Sequence, residues 1–337
     1  MKVVAITGKQ TCEIVERPEP CIKTNFVKVA IRAAPMCTEW HAYRDGSVGD
    51  VLGHEAAGEV VEVAQPGSVA VGDRVVVMPQ YGCGKCCLCR SGEHIHCQSP
   101  IDPLKFCESR TGTATYAQTL IKQDWLLVPI PADISYDHAS MACCGLGPTF
   151  NAMQMMDVNA LDTVLVSGLG PVGLGAVINA RCRGARVLAL ENNEYRAALA
   201  KSLGVEAVID PKDEHKLDRI MELTGGWGAD KSIETSSADA APAFLAEATR
   251  RKGQITSVGW GGPINAWAIV GRGLTVRGAW HWNHYRDAEA MFRTIRQSSA
   301  MLDKVITHTF PMRDVKKAWE LQLTGKCGKV ILHPWDA

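Results

Sequence analysis

Apolar and polar positions alternate over short stretches in the first third of the chain. Val27 to Ile31 and Val75 to Met78 are brief β-type runs, set apart by turns at Gln65-Pro66-Gly67 and Val71-Gly72-Asp73. This pattern predicts a β-rich region of short strands, a distorted barrel. The rhythm then changes. Thr163 to Val166 is an apolar strand, a glycine turn follows, and Val172 to Arg183 has helical character. Arg186 to Leu190 reads as a strand, Glu194 to Leu203 as a helix and Ala207 to Ile209 as a strand. Ser232 to Glu234 and Gln254 to Val258 continue the alternation. Such a βαβ rhythm predicts a parallel sheet with helices on both faces. The last stretch predicts a helix from about Asp287 to Gln297, a strand from Val305 to Phe310, a helix from Val315 to Leu323 and a strand from Lys329 to Leu332.

Composition narrows the class. A length of 337 residues fits about two domains. Lys+Arg and Asp+Glu are 36 each, so the basic excess of a nucleic-acid or anionic-membrane surface is missing and neither partner is expected. No run reaches the ~18 apolar residues of a membrane span. The opening stretch alternates like a strand and soon carries Glu13, Glu16 and Arg17, unlike the apolar core of a signal peptide. A soluble, cytoplasmic protein is expected. The 13 cysteines are an odd number in a long chain, which suits metal binding better than a disulfide framework.

Cys83, Cys86, Cys89 and Cys97 stand in C-x2-C-x2-C-x7-C spacing, with Gly82, Gly84 and Gly92 among them. Short C-x2-C steps bring two sulfurs to one ion around a tight turn. Four thiolates fill a tetrahedral zinc shell and leave no open position, so this site is structural. An iron–sulfur cluster uses similar spacing but has no further support in the sequence. Cys87 reads as a non-ligand. Cys12, Cys21, Cys107, Cys182 and Cys327 fit no metal spacing.

Ser167-Gly168-Leu169-Gly170-Pro171-Val172-Gly173 follows a strand and opens a helix. In that context a G-x-G-x-x-G turn permits a tight bend and close approach of backbone to pyrophosphate, with the helix N-terminus facing the phosphates. The next strand ends at Glu191, where an acidic side chain grips the adenosine ribose and repels a 2′-phosphate. Asn192 and Asn193 follow, with no immediate arginine. NAD is therefore expected over NADP.

Taken in order, Gly53-His54-Glu55, Gly58, Val71-Gly72-Asp73-Arg74-Val75, the four-cysteine lobe, the glycine turn and Gly325-Lys326-Cys327-Gly328-Lys329-Val330 resemble the zinc-dependent medium-chain dehydrogenase/reductase superfamily. That superfamily includes alcohol, sorbitol and threonine dehydrogenases. The resemblance implies an α/β chain with a GroES-like β-rich catalytic domain over 1–149 and 282–337, and a Rossmann doubly wound parallel sheet over 150–281. The structural zinc lobe falls at about 80–100. It implies two zinc ions per chain and NAD in a cleft between the domains. Catalytic-zinc ligands map to Cys37, to His54 and to a third residue. Cys144 is the first choice for that third ligand, Cys143 the next, with Glu55 an outer neighbour or an exchanging ligand. Such a zinc polarises a substrate hydroxyl while hydride passes to nicotinamide. Thr38 and His41 are the implied proton relay. The relay loop, Cys37-Thr38-Glu39-Trp40-His41, is one residue shorter than usual, and Glu39 stands for the usual Asp. By the same resemblance Lys329 approaches the pyrophosphate. Thr149, Val258, Trp280, Asn192 and Arg196 join Gly168, Gly170, Pro171, Val172, Gly173 and Glu191 around the cofactor.

The run from Trp280 through Tyr285 reads either as a polar-aromatic wall for a substrate or as a subunit contact. The implied activity is oxidation of a secondary alcohol, a polyol, sugar alcohol or amino-alcohol, by a homo-oligomer, with a tetramer favoured over a dimer. The alternatives are a zinc-independent enone or quinone reductase on the same fold, which the intact Cys37 and His54 oppose, and a non-catalytic NAD-binding protein.

Overall fold

Two compact units arise from the two rhythms of the sequence. The computed structural model describes residues 1–103 and 109–335; Cys107 lies outside the described residues. One unit comprises Met1–Cys144, Asn283–Arg296 and Ile306–Ala337, the other Gly145–Trp282 and Gln297–Val305. The helix Ser299–Val305 thus belongs to the second unit, inside a stretch that the sequence reading assigns to the first. No helix among the described residues is long and apolar enough to cross a membrane.

In the first unit the strands are β1 (Lys2–Gly8), β2 (Thr11–Glu16), β3 (Phe26–Pro35), β4 (Ala56–Val63), β5 (Arg74–Val77), β6 (Thr119–Gln123) and β7 (Leu127–Pro129). The second unit carries β8 (Thr163–Ser167), β9 (Arg186–Leu190), β10 (Ala207–Ile209), β11 (Ala229–Glu234), β12 (Thr249–Ser257) and β13 (Thr275–Gly278). The chain then returns to the first unit with β14 (Ile306–Pro311) and β15 (Lys329–His333).

The sheet of the first unit runs β14-β15-β3-β4-β5-β7, and β6 pairs with β3 beside this path. Inward residues of these strands build one core, with Val29, Ile31, Val60 and Val75 at its centre. Two register shifts bend β3 where it pairs with β4, as bulges do in a closing barrel. The strand extends to Pro35, past the predicted end at Ile31, because the returning strand continues its pairing. Ala34 and Pro35 face Leu332 and Ile331, and the Met36 N–H donates to the Val330 carbonyl at 2.8 Å. The helix Val315–Thr324 packs against the helix Trp40–Asp45 through stacked Trp319 and Tyr43, 4.7 Å apart.

The second unit is wholly parallel, in the order β10-β9-β8-β11-β12-β13. Counted within the unit this is the doubly wound 3-2-1-4-5-6 arrangement, whose crevice lies at the carboxyl ends of the central strands. Near-continuous apolar strands such as Val164-Leu165-Val166 are what a sheet covered on both faces requires. The helix Pro171–Cys182 begins on a proline, whose fixed φ suits a first helical position. Sequence patterning left 266–278 unread. There Asn265 caps the helix Ala266–Arg272, Gly273 ends it at φ +62°, and β13 follows as the exposed sheet edge.

A Cβ added at Gly175, inside the helix Pro171–Cys182, would collide with the Gly145 carbonyl oxygen. Backbone lies on both sides of this contact, so neither side yields cheaply. Gly175→Ala is expected to destabilise the protein by about 1–3 kcal/mol, read as a lowered urea midpoint.

Candidate functional site

Two groups of metal-ligating side chains form among the described residues, both in the first unit. The first is the cysteine lobe. Cys86 caps the short helix Cys87–Arg90, its Sγ accepting the Cys89 N–H at 3.4 Å. Cys83 Sγ accepts the Cys86 N–H at 3.3 Å, and Cys97 Sγ accepts those of Cys83 and Ser99 at 3.2 and 3.4 Å. Gly92, at φ +85°, allows the Asn283 amide to fit against the turn, where its Nδ2 donates to the Ser91 carbonyl at 2.6 Å. Cys83 and Cys89 sulfurs are 4.0 Å apart, Cys86 and Cys97 sulfurs 3.9 Å. A tetrahedron with bonds of ~2.3 Å has edges of about 3.8 Å, so the four sulfurs fit zinc with little movement. Backbone N–H groups, that of Cys89 first, bring Cys86 down to about 6, and those of Lys85 and Cys86 lower Cys83. Burial raises Cys89. Cys87 is exposed and its sulfur faces Gln98 Oε1 at 4.0 Å.

The second group is Cys37, His54, Glu55 and Cys144, whose ligand atoms all lie within 4.8 Å of one another. Pairing of β3 with β15 fixes the segment that leads into Cys37. His54 and Glu55 immediately precede β4, and Cys144 lies in the turn between the helices Tyr136–Ser140 and Gly147–Met155. Cys143, one residue earlier, points elsewhere. Its thiol faces the Val77 and Ala56 carbonyls at 3.4 and 3.9 Å, and burial pushes it up to about 12.

His54 is oriented from behind. Its Nδ1–H donates to Glu39 Oε1 at 2.7 Å, which leaves Nε2 to the donor group, 3.2 Å from Cys144 Sγ. Glu39 Oε2 also accepts from the Tyr116 hydroxyl at 3.0 Å and the Cys37 N–H at 3.3 Å. Burial is the largest single influence on Glu39 and pushes it up, but the hydrogen bond and charge of His54, with the backbone and Tyr116 hydrogen bonds, together hold the carboxyl below its usual range. Burial would likewise push His54 down, yet its bonds to Cys37 and Glu39 raise it to about 11.

Cys37 is drawn well below the ordinary thiol range by a hydrogen bond from Cys144, against burial, with Lys329 and His54 adding to the pull. The same bond, with burial, raises Cys144. A cation bound between the two sulfurs would let both ionise. Two sulfurs and an imidazole suit zinc and leave a fourth position open. Cys37 and His54 are partly exposed while Glu55 and Cys144 are buried.

Glu55 faces inward. Its Oε2 accepts the Cys144 N–H at 3.1 Å, and its Oε1 accepts from Lys329 Nζ at 2.6 Å. Both side chains are 0% exposed. Burial raises Glu55 to about 7 in spite of Lys329, and Glu55 keeps Lys329 charged against its own burial. The expectation that Lys329 approaches a pyrophosphate is thereby corrected, because its ammonium is sealed in the core and committed to Glu55. Thr38 and His41 are exposed, and no hydrogen bond joins either side chain to the four donors. The His41 ring stacks on Trp40 at 3.7 Å.

In the second unit a cavity of about 420 Å³ is lined by Gly168, Gly170, Glu191, Asn192, Arg196 and neighbouring residues. Gly168 bends at φ +86°, and a Cβ at Gly173 would strike the Gly168 carbonyl oxygen, so the turn needs both glycines. Pro171 and Val172 open the helix behind the turn. Glu191 Oε2 accepts the Leu169 N–H at 2.8 Å, which fixes the carboxylate at the turn. Thr149 is not brought to the cavity. It is fully buried, donates to the Leu146 carbonyl at 3.2 Å and accepts from Asn179 at 2.9 Å. Val258 donates its N–H to the Glu234 carbonyl, and exposed Trp280 meets the Trp260 ring edge-on at 5.9 Å. Neither lines the cavity.

Sequence reasoning assigned no role to Glu39 or Tyr116 at the metal group. Glu39 carried a signal, its acidic place between Cys37 and His41. Tyr116 carried none, because only tertiary pairing brings it to Glu39.

Residues 23–132 match the family described as alcohol dehydrogenase GroES-like domain, and residues 171–297 match zinc-binding dehydrogenase. An L-threonine 3-dehydrogenase of Bacillus velezensis is 32% identical over 95% of this chain and 94% of its own length. A sorbitol dehydrogenase of Halalkalibacterium halodurans is 29% identical over 95% of each. The solved structure of an alcohol dehydrogenase from Thermus sp. ATN1 superposes with a TM-score of 0.87, at 23% identity and 99% coverage of both chains.

Cys144→Ala is expected to lose the metal of the Cys37 group, whereas Cys143→Ala keeps it. Zinc per chain, measured on the purified proteins, checks this.

Proposed function

The chain belongs to the zinc-dependent medium-chain dehydrogenase/reductase superfamily, and we propose that it oxidises a secondary alcohol to a ketone with NAD, the substrate being a polyol, sugar alcohol or amino-alcohol. The observation that carries this reading is the meeting of Cys37, His54, Glu55 and Cys144, in a chain whose relatives are named for threonine and sorbitol. The same donors oppose a zinc-independent reductase, which has no use for them.

We propose two zinc ions per chain, one in the cysteine lobe and one held by Cys37, His54 and Cys144. At the second position a bound zinc would supply Lewis acidity, and bound NAD would supply the hydride acceptor. The chain's own residues prepare the site. Glu39 holds the proton on His54 Nδ1 and so presents Nε2 as a lone pair. Lys329 neutralises Glu55, so the charge facing the metal is that of the two thiolates. Glu191 takes the adenosine ribose and disfavours a 2′-phosphate, while Arg196 and Asn192 border the same cavity. All described cysteines are free, which supports a reducing, cytoplasmic setting. The unpaired edge of β13 and the exposed Trp267 and Val270 on the preceding helix support a homo-oligomer, with a tetramer favoured.

The test is NADH formation across polyols, amino-alcohols including threonine, and simple secondary alcohols. NAD and NADP are compared, with and without a zinc chelator. Chelator-sensitive turnover with NAD is expected, lost in Cys37→Ser. Nicotinamide binding with one zinc per chain and no turnover would instead mark a non-catalytic NAD-binding protein. Glu191→Ala is expected to lower the NAD-over-NADP preference at least tenfold, read as the ratio of kcat/KM values.

A further inference from the structure

Beside the metal donors lies a lysine that the chemistry above does not use. Lys122, on β6, is 2% exposed. Its Nζ donates to the Gln80 carbonyl at 3.1 Å and sits 3.5 Å from the centre of the Tyr81 ring. That ring is anchored by its hydroxyl, which donates to the Ile121 carbonyl at 3.1 Å. An ammonium carries three donors, and one is met. No carboxylate among the described residues pairs with it, and burial pushes the amine well below its ordinary range. A buried cation without a counter-charge is costly.

Lys122 borders a cavity of about 150 Å³ whose wall also includes Gly53, His54, Tyr81, Thr113 and Thr115. Thr115 Oγ1 is buried there with no hydrogen-bond partner. It occupies the space that a Cβ on residue 53 would need, and Gly53 takes φ +83°. The hydroxyl is therefore wedged against the residue next to His54. One wall thus gathers an ammonium with spare donors, an unpartnered hydroxyl and the imidazole of a metal donor. A space of about 150 Å³ suits a short acid better than a long polyol chain.

We propose that this cavity is a carboxylate subsite, in which Lys122 Nζ and Thr115 Oγ1 bind the acid group of a short hydroxy acid, β-hydroxy amino acids included, whose hydroxyl is presented to the Cys37–His54–Cys144 group. The assignment rests on the dehydrogenase reading and names its substrate class. A carboxylate completes the ammonium's hydrogen bonds and keeps it charged. A neutral polyol leaves the same groups unpaired, the kind of mismatch by which a polar site rejects an analogue.

The zinc-loaded protein is assayed with L-threonine and 3-hydroxybutyrate against their neutral primary amides, in wild type, Lys122→Met and Thr115→Val. Acetate binding is measured in parallel by calorimetry. The expected result is a wild-type preference in kcat/KM for the acids that falls at least tenfold in Lys122→Met and severalfold in Thr115→Val, with acetate binding lost in Lys122→Met. Each protein is its own control through the acid-to-amide ratio, and Thr115→Val decides if Lys122→Met does not fold. Turnover of amides and neutral diols with no acid preference, or an unchanged ratio in the variants together with acetate binding that does not depend on Lys122, overturns the subsite while the dehydrogenase reading stands. Lys122-dependent acetate binding with an unchanged ratio overturns the substrate assignment in favour of a free anion from solution. If nothing is oxidised, acetate held by wild type and released by Lys122→Met upholds the subsite and fails the dehydrogenase reading; equal binding by both overturns the subsite.

Discussion

The buried pair of Lys329 and Glu55 governs the metal group. Two charges at 2.6 Å with no exposure are tolerated only when each has its partner, since removing one strands the other. Glu55 spends its second oxygen on the Cys144 N–H, so one carboxylate ties the start of β4, the turn at Cys144 and the first residue of β15 together. Around that knot the ligands are placed without freedom. The Met36 N–H is held by the Val330 carbonyl, one residue from Lys329, which settles where Cys37 emerges. The arithmetic of charge follows. Lys329 cancels Glu55, two thiolates match a divalent zinc, and Glu39 holds His54 Nδ1–H so that a metal can take the place of the proton on Nε2.

The two metal groups show how donor count separates support from chemistry. In the cysteine lobe four sulfurs come from one short segment, and backbone N–H groups supply the remaining stabilisation. The lobe is nearly self-contained. At the Cys37 group, donors come from three distant segments, and a carboxylate, a tyrosine and a lysine stand behind them. An open position there is worth having only because these outer partners hold the ligands still.

Legibility in the sequence follows this same division. The lobe could be read from spacing, since its ligands are neighbours along the chain. The glycine turn could be read because strand, turn and helix are consecutive, and the parallel sheet because its strands are near-continuous apolar runs. Choosing between Cys143 and Cys144 was beyond spacing, as both are possible until the direction of one turn is known. Lys329 was misread for a related reason. Resemblance alone placed it at the pyrophosphate, and only the pairing of β15 with β3 turns it inward to Glu55. The helix Ala266–Arg272 was missed because its exposed Trp267 and Val270 give no amphipathic stripe.

The first unit is interrupted, and this orders events on the ribosome. β3, β4 and the Cys37, His54 and Cys144 donors are synthesised early, but β15 with Lys329 follows only after all of β8 to β13. Until then β3 lacks a neighbour along Ala34 and Pro35, Tyr43 lacks the stacking surface of Trp319, and Glu55 lacks its counter-charge. The cysteine lobe needs nothing from the last strand to bring its four sulfurs together. The nascent chain therefore has the four sulfurs of the lobe in hand well before the Cys37 group is electrically balanced, so the lobe is complete first and the second donor group last.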